Sequence, residues 1–134
     1  MAGKTMQVEL VAADRLVWSG EATMVIARTT EGDVGILPDH APMLSLMVDG
    51  VVDVTTSEGE TWVAAVDTGF LSVASNRISI LSEHAQMSHD VDLESARADL
   101  ERAKAAGEAD DEAQQQAARA WAEARIRAAE QSTT

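Results

Sequence analysis

Gly50-Val51-Val52-Asp53-Val54-Thr55-Thr56-Ser57-Glu58-Gly59-Glu60-Thr61-Trp62-Val63-Ala64-Ala65-Val66 is the stretch whose reading decides the fold. A run rich in Val and Thr enters a polar Ser57-Glu58-Gly59-Glu60 turn, and a second such run leaves it. That is the pattern of a β-hairpin. Period-two patterning recurs on both sides of it. In residues 6–12, Val8, Leu10 and Ala12 take one face, with Gln7 and Glu9 on the other. In residues 21–29, Ala22, Met24 and Ile26 alternate with Thr23 and Val25. Asp67-Thr68-Gly69 turns the chain into a strand over 70–74, and Ser75-Asn76 turns it again into 77–81. Gly20, Gly32, Gly50, Gly59 and Gly69 punctuate the series. Short strands with closely spaced turns predict an antiparallel β-sandwich or barrel of about eight to ten strands. Trp18 and Trp62 then belong to the core or its margin.

Outward from this region the composition changes near residue 90. The last 44 residues hold 14 of the 24 alanines but only one of the thirteen valines. Seven of the eight glycines and both prolines, Pro38 and Pro42, precede the break. Alanine, Glu, Arg and Gln favour helix. Asp92 is placed to cap a first helix, along which Leu93, Ala96, Leu100 and Ala103 follow helical spacing. Gly107 stands where a C′ glycine belongs, and Asp111 with Gln114 resembles a capping box for a second helix. Ala113, Ala117, Ala120, Trp121, Ala124 and Ala128 form its stripe, with Ile126 off it. So short a loop, over 108–110, joins antiparallel helices. The predicted division is a β-sandwich over 1–89 and a helical hairpin over 90–134. Helices of about 14 and 19 residues that meet mainly through alanine are marginal alone. The hairpin needs the sandwich, or another protein, to hold it.

The chain of 134 residues has 23 acidic and 10 basic side chains, a net charge of −13. Such acidity argues against a phosphate-neutralising nucleic-acid surface and against anionic lipid. Four aromatics (Trp18, Trp62, Trp121, Phe70) are too few for a base-stacking platform. The absence of cysteine excludes disulfides and thiolate chemistry. No run approaches the apolar length of a membrane span, and no targeting segment is visible. No catalytic residues emerge: a Gly-x-Ser-x-Gly elbow, a phosphate loop and a His-Glu-x-x-His helix are all missing. His84 and His89 with Glu83 and Asp90 allow a second reading, a small sandwich metalloenzyme, against a polar interdomain segment. The basic residues are more informative. The first 90 residues carry net −9 and the last 44 only −4. Arg119, Arg125 and Arg127 bias the last helix toward a carboxylate or phosphate surface, though cations also suit a helix C-terminus.

Glu31-Gly32-Asp33-Val34-Gly35-Ile36-Leu37-Pro38-Asp39-His40-Ala41-Pro42 resembles the Gly-Ile-x-Pro-x-His-x-Pro signature of the ε subunit of bacterial F-type ATP synthases. Residues 16–22, 67–73 and 80–85 are similar to further strands of that family, so the likeness covers nearly the whole chain. The resemblance implies a sandwich of about ten strands followed by a two-helix hairpin. It implies a non-catalytic, central-stalk role that couples c-ring rotation to ATP synthesis, with a hairpin that restrains ATP hydrolysis. The implied partners are the γ subunit, the c-ring, and the α and β subunits through the hairpin. The implied location is peripheral, on the cytoplasmic face of the cell membrane, reached only through partner subunits.

Residue by residue, the resemblance places Glu31, Gly32, Asp33 and nearby His40 at the c-ring-facing end. There Glu31 and Asp33 would meet arginines of the c-ring loops. No cofactor is required, but some family members hold ATP between sandwich and hairpin as a regulatory ligand. Their Ile/Leu-Asp-x-x-Arg-Ala motif is matched by Leu93-Glu94-Ser95-Ala96-Arg97-Ala98, with Glu replacing Asp. Glu83 matches an upstream acid. Arg125 matches one of two helix arginines, whereas Trp121 occupies the place of the other. The ATP-sensing set is therefore Glu83, Glu94, Arg97 and Arg125. Arg119, Arg125 and Arg127 would be the inhibitory contacts.

Overall fold

The computed structural model describes residues 4–105 and 112–132. Nine strands occur among them: β1 (Met6–Val11), β2 (Leu16–Thr29), β3 (Gly32–Ile36), β4 (Met43–Met47), β5 (Gly50–Thr56), β6 (Thr61–Val66), β7 (Gly69–Ala74), β8 (Arg77–Ser82) and β9 (Ala85–Met87). The hairpin expected at 50–66 forms in register, with Gly50 opposite Val66 and Thr55 opposite Thr61. The strands run β1-β8-β7-β4-β2-β5-β6-β9, with β3 on β2, and β1 also pairs with β2. All pairs are antiparallel except β1–β8. The long β2 is shared between the two layers of the sandwich. Its first part pairs with β1, and its second part with β3 and β5.

The core lies between the layers and includes Val8, Leu10, Ala22, Val25, Ile36, Leu71, Ile78 and Ile80, all buried. Trp18 and Trp62 are half-buried against it, as alternation predicts. One phase differs from the expectation. Ala22 is buried, but Met24 and Ile26 are not; Val25, Ala27 and Thr29 face in instead. An irregularity in the β2–β5 ladder between Ala22 and Met24 resets the alternation. One extra residue exchanges the two faces of a strand.

Two glycines have other duties than the turns expected of them. Gly20 lies inside β2, where a Cβ would stand 2.9 Å from the Trp18 ring. Glycine there admits the indole over the backbone. Gly69 opens β7 so close to β8 that a Cβ would lie 1.9 Å from the Leu81 carbonyl oxygen.

A single turn of 3₁₀ helix, Ser88–Asp90, spans the expected junction, and α1 (Leu93–Ala105) and α2 (Glu112–Ser132) follow. Asp92 caps α1 as predicted, its Oδ1 accepting from the Ser95 N–H at 3.2 Å. Leu93, Ala96, Leu100 and Ala103 lie on its less exposed face. Gly107, the loop over 108–110 and the Asp111 cap fall outside the described residues. In α2 the predicted stripe holds only over its second half. Ala113 and Ala117 are exposed, while Ala124 and Ala128 are buried against Val63 and Ala65, with Val51 and Trp121 at the margin. β6 is thus buried on both faces, by the core on one and by α2 on the other. Ala122 and Ala129 are buried too. α2 packs on β5 and β6, and α1 packs on α2.

Candidate functional site

Three regions hold the residues singled out in the sequence. The first is the seam between hairpin and sandwich. Arg125, with its side chain 13% exposed, is its most buried charge. Its Nε donates to Gln86 Oε1 of β9 at 3.1 Å, and a terminal nitrogen donates to Asp99 Oδ2 of α1 at 2.8 Å. Asp99 also pairs with Arg102. Two clefts open on either side of Trp121. One of about 450 Å³ lies between the helices, beside Asp99, Arg102, Gln114 and Arg125. The other, about 360 Å³, is lined by Arg15, Glu83, His84 and Gln86. Glu83 and Arg125 therefore stand at the seam. Glu94 and Arg97 line neither cleft. Glu94 is exposed in the first turn of α1, and Arg97 faces Glu130 at 3.6 Å. Arg119 and Arg127 are exposed on α2. Arg127 borders a further cleft with Arg28, Asp49 and Glu123, where burial pushes the Asp49 carboxyl up and nearby Asp67 adds to it.

The histidines beside this seam have structural partners. His84 Nδ1 donates to Asp67 Oδ2 at 2.6 Å, and its backbone N–H donates to Asp67 Oδ1 at 2.8 Å. Ser82 Oγ also donates to Asp67 Oδ1, at 2.6 Å. One carboxylate thus pins the β6–β7 turn to the chain entering β9, and the His84 ring lies 5.8 Å from that of Trp121. His89 stands edge-on to Trp62 at 5.6 Å. Among the described residues no three His, Cys, Asp or Glu side chains converge as metal ligands. The metalloenzyme reading of His84, His89 and Glu83 is not supported: the two histidines serve turn closure and packing.

The second region is the β2–β3 tip. Gly32, at φ 110°, and Glu31 close the hairpin, and Asp33 pairs with Arg28 across it. Glu31, Gly32 and Asp33 are all exposed. Residues 30–31 form a tight turn that leads directly into β3. His40 is not brought beside it. It follows the other end of β3, in a loop closed by Asp39, whose Oδ2 accepts from Lys4 Nζ at 2.8 Å. Asp39 also exchanges two hydrogen bonds with Asn76 of the β7–β8 turn. The expected grouping fails because β3 is a strand and carries its two ends apart.

The third region is not among the sites expected from the sequence. Leu46 faces Phe70, Phe70 faces Leu81, Leu81 faces Val11, and Val11 faces Leu16. Directly opposed residues on adjacent strands share a face of the sheet. These form one apolar row across β4, β7, β8, β1 and β2. Leu46 (53%), Phe70 (48%), Leu81 (47%) and Leu16 (56%) are exposed, and Leu44 (73%) flanks the row on β4. The row lies on strands that the helices leave uncovered. It ends in an apolar groove of about 460 Å³ between Thr30, Leu46, Met47 and Phe70, at the β2–β3 tip. Contiguous exposed apolar surface of this kind marks a protein–protein contact. The signal available beforehand was Met43-Leu44-Ser45-Leu46-Met47, apolar in both phases of a strand.

This architecture recurs in known proteins. Residues 5–88 match the family described as ATP synthase, delta/epsilon chain, beta-sandwich domain. The chain belongs to the ATP synthase epsilon-chain family. Relatives named ATP synthase epsilon chain include that of Streptomyces avermitilis, 55% identical over 78% of this chain and 84% of the relative. Another, from Streptomyces griseus, is 49% identical over 92% of this chain and 94% of the relative. A chain in the Euglena gracilis mitochondrial ATP synthase, solved with its c-ring, shares the fold at a TM-score of 0.80 and 23% identity, over 96% of this chain and 83% of that one. An epsilon chain is a non-catalytic subunit of the rotary ATP synthase, as the sequence predicts here. No described helix is long and apolar enough to cross a membrane.

Proposed function

We propose that the chain works in the central stalk, docked on the γ subunit through the apolar row and presenting the β2–β3 tip to the c-ring. The exposed row from Leu46 to Leu16 carries this reading. A subunit that transmits torque needs an apolar contact on one face and a rigid scaffold behind it. The row supplies the contact, and the sandwich core beneath it the rigidity. At the tip, Glu31 and Asp33 place two carboxylates on a tight turn, suited to arginines of the c-ring loops. His40 stands at the opposite end of β3 and is no part of that contact in this reading. Through these partners the chain sits peripherally on the cytoplasmic face of the membrane.

The hairpin supplies the regulatory part of the proposal. Packed on the sandwich it is stowed. Lifted from β5 and β6 it would bring Arg119, Arg125 and Arg127 to acidic segments of the α and β subunits and restrain ATP hydrolysis. ATP as a regulatory ligand would enter at the seam, where Arg125 and Glu83 stand. Glu94 and Arg97 would have to turn inward to join them.

The docking claim is tested by Leu46→Ser with Phe70→Ser, titrated into the ATP synthase complex stripped of this subunit. Loss of two central apolar anchors is expected to weaken binding about thirtyfold or more, about 2 kcal/mol. Unchanged affinity, with the sandwich folded, would remove γ from this face.

A further inference from the structure

The hairpin meets the sandwich through very small side chains. Ala124 and Ala128 lie on Val63 and Ala65, and Trp121 is the one large apolar residue of α2 at this contact. Alanine buries little area, so apolar burial alone holds α2 weakly. Into this seam the chain inserts a guanidinium. Arg125 has its Nε on Gln86 of β9 and a terminal nitrogen on Asp99 of α1, with 13% of its side chain exposed. A further polar tie across the seam is Gln131 to Asp53, at 2.6 Å.

We infer that Asp99, Arg125 and Gln86 form a latch by which α1 decides whether α2 stays docked. The reasoning is electrostatic. A guanidinium held this far from water is tolerated because a carboxylate and an amide oxygen satisfy it. Gln86 alone is neutral and accepts one N–H. The compensating charge comes from α1, which packs on α2 rather than on the sheet. If α1 swings away or melts, Asp99 goes with it, and Arg125 is left unpaired against the sandwich. Hydration relieves it, and lifting of the second half of α2 away from β9 completes that hydration. Docking of α2 and pairing of the two helices are thereby one event, although only α2 touches β5 and β6 extensively. Asp99 is a positioning residue in this device. It acts through Arg125.

The latch concerns the free chain and stands without the rotor reading; only its regulatory consequence rests on that reading. It is tested on the full chain by hydrogen exchange, following amides of residues 119–131 with those of 51–66 as internal reference. Asp99→Ala is expected to speed exchange in 119–131 about tenfold or more, since breaking a buried pair strands the partner charge. Exchange in 51–66 should stay as it is. Arg102→Ala controls for the Asp99–Arg102 pair within α1 and is expected to leave 119–131 slow. The double variant Asp99→Ala with Arg125→Met keeps the aliphatic stem and removes the stranded charge, so protection should return. Slow exchange in Asp99→Ala, or a double variant as fast as the single one, overturns the latch.

Discussion

At the residue scale, the Asp39 knot shows how a few polar contacts fix a loop. Asp39 has φ 68°, and Ser75 and Asn76 have φ 52° and 59°. Non-glycine residues in this region need compensation, and Asn and Asp tolerate it best. Here the compensation is reciprocal hydrogen bonding between Asp39 and Asn76, with Lys4 above. The Lys4 hydrogen bond, then that of Asn76, holds the Asp39 carboxyl below its usual 3.8. The same bond holds the Lys4 ammonium above 10.5. A depressed carboxylate stabilises the fold above its unfolded value, and that contribution fades as pH falls through the folded one. The Lys4 contribution is full below 10.5 and fades as pH rises through its raised value. Both groups are solvent-exposed, so the effect on stability is small. In Lys4→Ala, the Asp39 carboxyl resonance is expected to titrate closer to 3.8 than in the parent chain. An unmoved midpoint would show that Asn76 alone sets it. None of this pairing was legible beforehand. Lys4, Asp39 and Asn76 are 35 and 37 residues apart in contact terms, and only chain folding makes them neighbours.

At the element scale, the strands were the clearest reading and the second helix the least complete. Alternation at Val8 and Leu10 needed no tertiary information, because one face of that strand meets the core, and the hairpin over 50–66 needed none because a polar turn divides two runs rich in strand-forming residues. The phase of β2 did need it, since the irregularity after Ala22 is set by pairing with β5. In α2, alanine is both a good helix former and a weak marker of burial. The alanine stripe therefore extends in the sequence to Ala113 and Ala117, which are exposed. Ala128, fully buried against Val63 and Ala65, gives the sharper test. Ala128→Leu adds three heavy atoms to a filled seam and should cost about 1–3 kcal/mol of docking. Trypsin is then expected to cut after Arg119, Arg125 or Arg127 faster, with the sandwich cleaved no faster than before. Equal cleavage of the two regions would mean that hairpin and sandwich open together.

At the scale of the whole molecule, the hairpin covers one side of the sandwich, and the apolar row occupies strands it does not cover. The two faces can therefore work at once. On the proposed function, the chain would hold a stalk partner while its helices lift. Hydrolysis by the assembled complex, measured across ATP concentrations with the full chain and with residues 91–134 removed, reads both regulatory claims. Truncation should raise hydrolysis, and the difference should narrow as ATP increases. Equal rates would remove the inhibitory role; a difference constant in ATP would remove the ligand. The sequence on its own dictated the two-part architecture and the hairpin at its centre, because alternation and helix propensity are local, while the Gly35–Pro42 string carried the resemblance to the family. Tertiary structure alone decided the apolar row, the separation of His40 from Glu31, and the burial of Arg125. Strand register and packing bring together residues that are far apart in the chain, and no local pattern carries that information.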